Sequence, residues 1–135
     1  MTDTAPQGLE IAAHDGPGYK PLIRSSGDWM AAIMNGQADS WKVPESIEKH
    51  PATDELFVLT AGRGMLITAG SGEKPGKIEQ VEMQPNVLYN VKAGVWHVSP
   101  QSPDATFIII EATGTEIDGS VRAPLSDQQQ AAIKM

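Results

Sequence analysis

Short apolar stretches separated by glycine, proline and polar residues recur along the chain, and their spacing predicts β-strands. Residues 77–83 alternate polar and apolar side chains, as a strand with one face in solvent does. Residues 105–111 form the most apolar run and are predicted to be a strand buried on both faces. The remaining predicted strands are residues 9–13, 19–23, 29–34, 55–60, 65–68, 87–91 and 95–98. Turn signals every ~8–12 residues favour an antiparallel barrel or sandwich.

The connections between these strands carry further signals. Residues 61–64, Ala-Gly-Arg-Gly, form a tight turn that predicts a hairpin between strands 55–60 and 65–68. Residues 37–53 are expected to be a polar connection, and residues 112–124 an irregular segment. Ser126, followed three positions later by Gln129, has the pattern of a capping box and predicts a short helix to Met135. The predicted class is therefore all-β: a small antiparallel β-barrel or jelly roll with a short C-terminal helix.

Length, composition and charge limit the classes of function. The 135 residues fit one domain, with its core at about residues 40–111 and with residues 1–8 expected to be flexible. Because no cysteine is present, a metal ion would be held by nitrogen and oxygen ligands. The formal net charge of −7 opposes binding to nucleic acid. No apolar run approaches the ~20 residues that cross a bilayer, and the N-terminus lacks the pattern of a signal peptide. We therefore expect a cytoplasmic protein without a membrane or nucleic-acid partner.

Two histidines and one glutamate are candidates for metal ligands. His50 and Glu55 lie five residues apart at the start of a predicted strand, and His97 follows the turn at Gly94. Two imidazoles and a carboxylate suit a divalent metal ion that keeps open positions. In the alternative interpretation, His97 is a packed histidine bonded to the backbone, and Glu55 pairs with the backbone or with Arg63. In either case an inward-facing Glu55 needs a partner, because burying a lone charge is costly.

The two stretches that hold these residues resemble the two sequence motifs of the cupin superfamily. The first motif, G-x5-H-x-H-x3–4-E-x6-G, matches at His50, Glu55 and Gly62. The second motif, G-x5-P-x-G-x2-H-x3-N, matches at Gly94 and His97. The resemblance covers about residues 40–111. It implies a small β-barrel of jelly-roll type, open at one end, with a metal ion inside.

The departures of the sequence from these motifs include Lys42, Glu48, Lys92 and Gln101. Glu48 stands where the first motif has its first histidine, so the implied ligand set is Glu48, His50, Glu55 and His97. Glu48 has the same strand parity as His50, and it either ligates the metal, acts as a general base beside it, or is solvated. The extra carboxylate favours Mn, Fe(II) or Zn over Cu, with Ni also open. Loss of the metal is the remaining alternative.

Aromatic residues and the resemblance together suggest a function. Phe57, Tyr89 and Trp96 are candidates for binding a substrate at the mouth of the barrel, with core packing as the alternative. The resemblance implies a metal-dependent enzyme of the isomerase, epimerase, lyase or oxygenase class, acting on a small polar or anionic metabolite. The run Gly-Val-Trp-His at 94–97 is also similar to ureidoglycolate lyases. The alternatives are a non-catalytic barrel that binds a small molecule or a metal, and a barrel without any ligand. The resemblance further implies a homodimer.

Overall fold

Two antiparallel sheets of five strands each form the framework of the structure. The computed structural model describes residues 6–113 and 120–135. Its elements are β1 Gly18–Arg24, β2 Trp29–Asn35, β3 Ser46–Lys49, β4 Glu55–Ala61, β5 Met65–Thr68, β6 Glu79–Glu82, β7 Leu88–Val91, β8 His97–Val98, β9 Thr106–Ala112, β10 Val121–Pro124 and α1 Asp127–Ala132. The first sheet has the order β1-β2-β9-β4-β7, and the second sheet has the order β10-β3-β8-β5-β6.

The two sheets share a hydrophobic core, as in a jelly roll. Phe57 and Leu59 of β4 pack there with Phe107 and Ile109 of β9, and Leu66 of the second sheet joins them. In β4 and β9 every second residue is buried in this core, because side chains of a strand alternate between its faces. Among the described strands the two sheets do not close into a continuous barrel. The all-β class with a jelly-roll arrangement is therefore confirmed.

A second core lies on the other face of the second sheet, under the C-terminal segment. Ile67 of β5 and Trp96 pack there with Leu125 and Ile133. Leu66, the neighbour of Ile67, faces the first core instead. The strand β5 is thus buried on both faces, which explains why its sequence is continuously apolar.

The predicted C-terminal helix is present and begins at the predicted capping box. The Ser126 hydroxyl accepts from the Gln129 N–H at 3.1 Å, and the Gln129 side-chain oxygen accepts from the Ser126 N–H at 2.8 Å. The helix ends at Ala132 and not at Met135, because Ile133 turns to an extended conformation and buries its side chain. Among the residues that the structure describes, no helix has the length and apolar character needed to span a membrane.

The hairpin predicted between residues 55–60 and 65–68 is wrong, because these strands belong to different sheets. β4 pairs with β7 and β9, whereas β5 pairs with β6 and β8. The connecting turn passes close over the start of β9: a Cβ added at Gly62 would lie 2.6 Å from Ala105 Cα, and one at Gly64 would lie 2.5 Å from Phe107 Cε1. Glycines in a tight turn indicate a change of direction, and they do not tell whether the chain returns to the same sheet.

Four other segments differ from the predictions. Residues 9–13 are not a strand, and Leu9 and Ile11 are exposed. The segment 37–53 contains β3, and the segment predicted to be irregular contains β10, while its residues 114–119 lie outside the described part. Residues 1–5 of the segment expected to be flexible also lie outside it. Residues 105–111 are fully buried on one face only, since Ile108 and Ile110 are half-buried.

We predict that Gly64→Ala destabilises the protein by about 1–3 kcal/mol, because its methyl group would press on the fully buried ring of Phe107. Gly27→Ala is the matched control, because nothing lies within 4 Å of a Cβ added there. Urea unfolding of both variants checks this. Equal midpoints for the two variants would contradict the close approach at Gly64.

Candidate metal centre

Four strands bring five polar side chains together inside the jelly roll. Glu48 on β3 lies opposite His97 on β8, and His50 directly follows β3. Glu55, the first residue of β4, lies opposite Glu111 on β9. These two strands belong to the first sheet, whereas β3 and β8 belong to the second. The group therefore lies between the two sheets, and both sheets are needed to form it.

The three residues predicted from the motifs converge on one atom. His50 Nε2 lies 3.0 Å from Glu55 Oε1, and His97 Nε2 lies 2.8 Å from the same oxygen. All three residues are buried, with exposed fractions of 7% for His50, 6% for Glu55 and 2% for His97. The structure thus joins residues that are up to 47 positions apart in the sequence.

The hydrogen bond made by His97 Nδ1 determines whether Nε2, the other ring nitrogen, can donate or accept. His97 Nδ1 lies 2.9 Å from the carbonyl oxygen of Val95, so Nδ1 carries a proton and donates it to that carbonyl. In a neutral imidazole, Nε2 would then present only a lone pair to the Glu55 carboxylate. Two acceptors at 2.8 Å repel each other. A proton shared by the two atoms, or a metal ion that binds both, must therefore lie between them.

The second nitrogen of His50 has a more adaptable partner. His50 Nδ1 lies 3.1 Å from the Ser120 hydroxyl, which can donate or accept. Anchoring of the far ring nitrogen is what orients histidines that ligate metals. Both imidazoles are therefore held with Nε2 towards the interior.

Burial and charge pull the pKa values of this group in opposite directions. For Glu55, burial raises the pKa, but the hydrogen bonds from His50 and His97 outweigh burial and lower it to about 2. For His50, burial lowers the pKa, whereas the bond to Glu55 and the nearby carboxylates raise it above its usual value. Glu55 is therefore an ionised carboxylate at neutral pH.

Backbone contacts lock the two motif stretches against each other. The Gly94 N–H donates to the His50 carbonyl at 2.9 Å. Asp54, next to Glu55, accepts from the Ala93 N–H at 2.8 Å and from the Asn90 amide at 3.0 Å. The segment that carries His97 is thus fixed by the backbone of His50 and by Asp54, the neighbour of Glu55.

Glu48 lies at the rim of the group, where it has a partner of its own. Its Oε2 accepts from Arg122 Nη2 at 3.1 Å, across the pairing of β3 with β10. Its side chain is 30% exposed, and it also lines the cavity beside His50 and His97. Arg122 and Ser120 were not predicted to belong to the site, because the segment 112–124 was expected to be irregular.

Glu111 is the candidate site residue that the sequence reasoning missed. It is 6% exposed, and the Tyr19 hydroxyl donates to its Oε1 at 2.5 Å. Burial, together with the charge of Glu55, raises the pKa of Glu111 to about 7. The sequence contains a signal for this position. Glu111 has the same strand parity as Phe107 and Ile109 in the most apolar run of the chain, which places its side chain on the buried face.

A cavity of about 530 Å³ opens onto this group. Its apolar wall is formed by Met34, Phe57, Val98 and Ile109. Ser99 and Ser120 add hydroxyl groups to its lining. A cavity of this size lies within the usual range for sites that bind small molecules.

Of the three aromatic candidates for substrate binding, only Phe57 lines the cavity. Trp96 points away from His97 into the second core, where its indole N–H donates to the Gly72 carbonyl at 2.9 Å. Tyr89 packs on the first core, and its hydroxyl accepts from the Gln84 N–H at 2.9 Å. Strand alternation separates Trp96 from His97, so neighbours in the sequence lie on opposite faces.

Arg63, the alternative partner of Glu55, is bound elsewhere. Its guanidinium makes two bonds to Glu82, at 2.9 and 3.2 Å. These bonds raise the pKa of Arg63 and lower the pKa of Glu82. The pairing of Glu55 is therefore with the two histidines.

Comparison with known proteins identifies the fold. No protein-family model and no curated protein sequence matches the chain. The structure of BH2720 from Bacillus halodurans is similar, with a TM-score of 0.59, 19% identity, and coverage of 83% of this chain and 86% of that chain. An uncharacterized conserved protein with a double-stranded β-helix domain from Klebsiella pneumoniae has a TM-score of 0.56, 15% identity, and coverage of 85% and 90%. A cupin-2 domain containing protein from Shewanella frigidimarina has a TM-score of 0.50, 17% identity, and coverage of 72% and 82%. The chain has the double-stranded β-helix fold, which is the fold that the resemblance of its motifs implied.

The side chains present fit a divalent metal ion. Ligand atoms of Glu48, His50 and His97 lie within 4.8 Å of one another, and so do those of His50, Glu55 and Glu111. These donors are imidazole nitrogens and carboxylate oxygens, which suit Zn, Fe(II), Mn and Ni. His97 Nε2 and Glu55 Oε1, 2.8 Å apart, can both bind a metal ion in place of the proton that they would otherwise share.

We predict that, in chelator-treated protein, the free energy of unfolding of Glu111→Gln increases relative to that of the wild type as the pH rises from 5 to 8. The folded wild type holds the Glu111 proton up to a pKa of about 7, whereas the unfolded chain releases it near 4.5. The folded state therefore binds more protons between these values, and wild-type stability falls through that window. The difference should grow by an amount on the order of 1–3 kcal/mol.

Thermal melts at both pH values, with chelator present, check this prediction. Glu82→Gln is a control outside the cavity. A constant difference between Glu111→Gln and wild type across this range would contradict the raised pKa.

Proposed function

We propose that the protein is a metal-dependent enzyme that acts on a small polar or anionic metabolite. His50, Glu55 and His97 hold the metal ion, with Glu48 beside them. The observation that carries this proposal is the convergence of two buried imidazoles on one carboxylate oxygen, at 3.0 and 2.8 Å, within a cavity. The far nitrogen of each ring is bonded to a second group, as in histidines that ligate metals.

The reaction class is narrowed by the groups that surround the candidate ligands. When bound, a divalent ion polarises an oxygen of the substrate. The chain itself supplies two further carboxyl groups in the cavity, Glu48 at the rim and Glu111 deeper between the sheets. Each lies where it can take a proton from a substrate or return one, and Tyr19 extends the hydrogen-bonding path at Glu111. This arrangement supports an isomerase, epimerase or lyase, which move protons, over an oxygenase.

The apolar wall of the cavity supports a small metabolite. Met34, Phe57, Val98 and Ile109 can pack against a short carbon skeleton, while the polar groups orient its oxygens. The carboxylates disfavour a highly charged anion, so a substrate with at most one or two negative charges fits best.

We predict that purified protein contains about one divalent metal ion per chain and that His97→Ala reduces this content at least tenfold. Glu55→Gln should do the same while keeping the size of the side chain. His14→Ala is the matched control, because His14 bonds to the Gly18 carbonyl outside the metal group. Elemental analysis measures the content.

Thermal melts give an independent check of the metal site. Metal-loaded wild type should melt above the chelated form, because a ligand that binds only the folded state stabilises it. Identical melting temperatures would end the proposal of a metal centre. Turnover of a panel of small oxo acids, hydroxy acids and sugars by metal-loaded protein then separates an enzyme from a non-catalytic binding protein.

We also propose a homodimer, which the outer face of the first sheet supports. The five strands of this sheet contain two acidic residues, Glu55 and Glu111, and both point inward. The outer face therefore lacks acidic side chains in a chain of net charge −7. It also carries large exposed apolar residues, Trp29 at 49% and Leu88 at 70%. Interface centres are depleted of charge in this way.

We predict that Leu88→Glu and Trp29→Glu each convert a dimer to a monomer, because they bring like charges together on this face. Val81→Glu is the control, since Val81 is 45% exposed but lies on the second sheet. Light scattering coupled to size exclusion measures the mass. A wild type that is monomeric at high concentration would refute the homodimer.

A further inference from the structure

The mouth of the cavity contains a charge pair, and we propose that its arginine, Arg122, anchors the carboxylate of the ligand in exchange for Glu48. This inference rests on the proposed function, and it names the class of ligand as a small monocarboxylate with a hydroxyl or oxo group. Arg122 is the one lysine or arginine among the described residues that line the cavity. Glu48, Glu55 and Glu111 line the same cavity.

The bond between Arg122 and Glu48 is of a kind that a ligand can replace. It is a single contact of 3.1 Å, and the two side chains are 67% and 30% exposed. Exposed pairs of this type contribute little to stability. A guanidinium has five N–H donors in a planar fork that fits a carboxylate with two parallel bonds. An incoming carboxylate can therefore make a better contact with Arg122 than Glu48 does.

Once a ligand binds Arg122, the Glu48 side chain can move to a second position. A carboxylate oxygen of Glu48 lies within 4.8 Å of ligand nitrogens of His50 and His97. Displacement from Arg122 leaves these histidines as its neighbouring partners inside the cavity. Ligand binding at the mouth would thus direct Glu48 towards the reacting end of the ligand, where it can hold a proton.

The charges of the cavity favour a single carboxylate over a phosphate. One arginine faces three glutamates among the lining residues. The single charge of a guanidinium matches that of one carboxylate, and the nearby glutamates repel the second charge of a phosphate dianion. The apolar side chains Met34, Val98 and Ile109 fit the short carbon chain that separates the carboxylate from the hydroxyl or oxo group.

Binding of lactate and of its neutral analogue lactamide tests this inference by calorimetry. Metal-loaded wild type should bind lactate at least tenfold more tightly than lactamide. Arg122→Gln should remove this preference, with a larger loss of affinity for lactate than for lactamide. Arg63→Gln is the matched control, because Arg63 pairs with Glu82 outside the cavity, and it should behave as wild type. Glu48→Gln should tighten lactate binding, because it removes the competing carboxylate.

Three outcomes would overturn the inference. These are no saturable binding of lactate by wild type, equal affinities for lactate and lactamide, or a lactate preference that survives in Arg122→Gln. The same titrations in chelated protein separate it from the proposed function. A preference for lactate that depends on Arg122 in protein without metal would support the anchor even if the metal proposal fails. A bound metal with no effect of Arg122 would refute the anchor alone.

Discussion

A buried carboxylate between two buried imidazoles is the interaction on which the rest of this structure depends. Glu55 lies on the first sheet, and His50 and His97 lie on or beside strands of the second, so their contact ties the two sheets together at one end. An ionised carboxylate at 6% exposure requires a positive partner. His97 Nδ1 donates to the Val95 carbonyl, so its Nε2 faces Glu55 through either a shared proton or a metal ion, and this links the stability of the site to its chemistry.

The cavity holds three glutamates, and each has a different partner. Glu55 faces the two histidines, Glu111 accepts from the Tyr19 hydroxyl, and Glu48 pairs with Arg122. Separate partners keep three acidic groups within one small volume without leaving any of them alone. They also give the groups different properties, since the pKa of Glu55 is lowered to about 2 and that of Glu111 is raised to about 7. Differences of this kind between neighbouring acids are typical of functional sites.

The fold and the site support different statements about function. The similar structures share 15–19% identity with this chain and establish its double-stranded β-helix fold. That fold hosts many unrelated activities, so it does not specify a reaction. The orientation of His50 and His97 towards Glu55 supports metal-dependent chemistry, and Arg122 supports a carboxylate ligand.

Local patterns were enough to predict most of the strands, the capping box at Ser126, and the grouping of His50, Glu55 and His97. Strand periodicity and capping depend on residues a few positions apart. The site residues were predicted from their spacing within the two motifs. Tertiary structure decided the rest. Whether the glycine turn at 61–64 closed a hairpin or crossed between sheets depended on what lay beneath it, namely Ala105 and Phe107. Glu111, Tyr19 and Arg122 entered the site through strand pairings between distant segments, which no local pattern encodes.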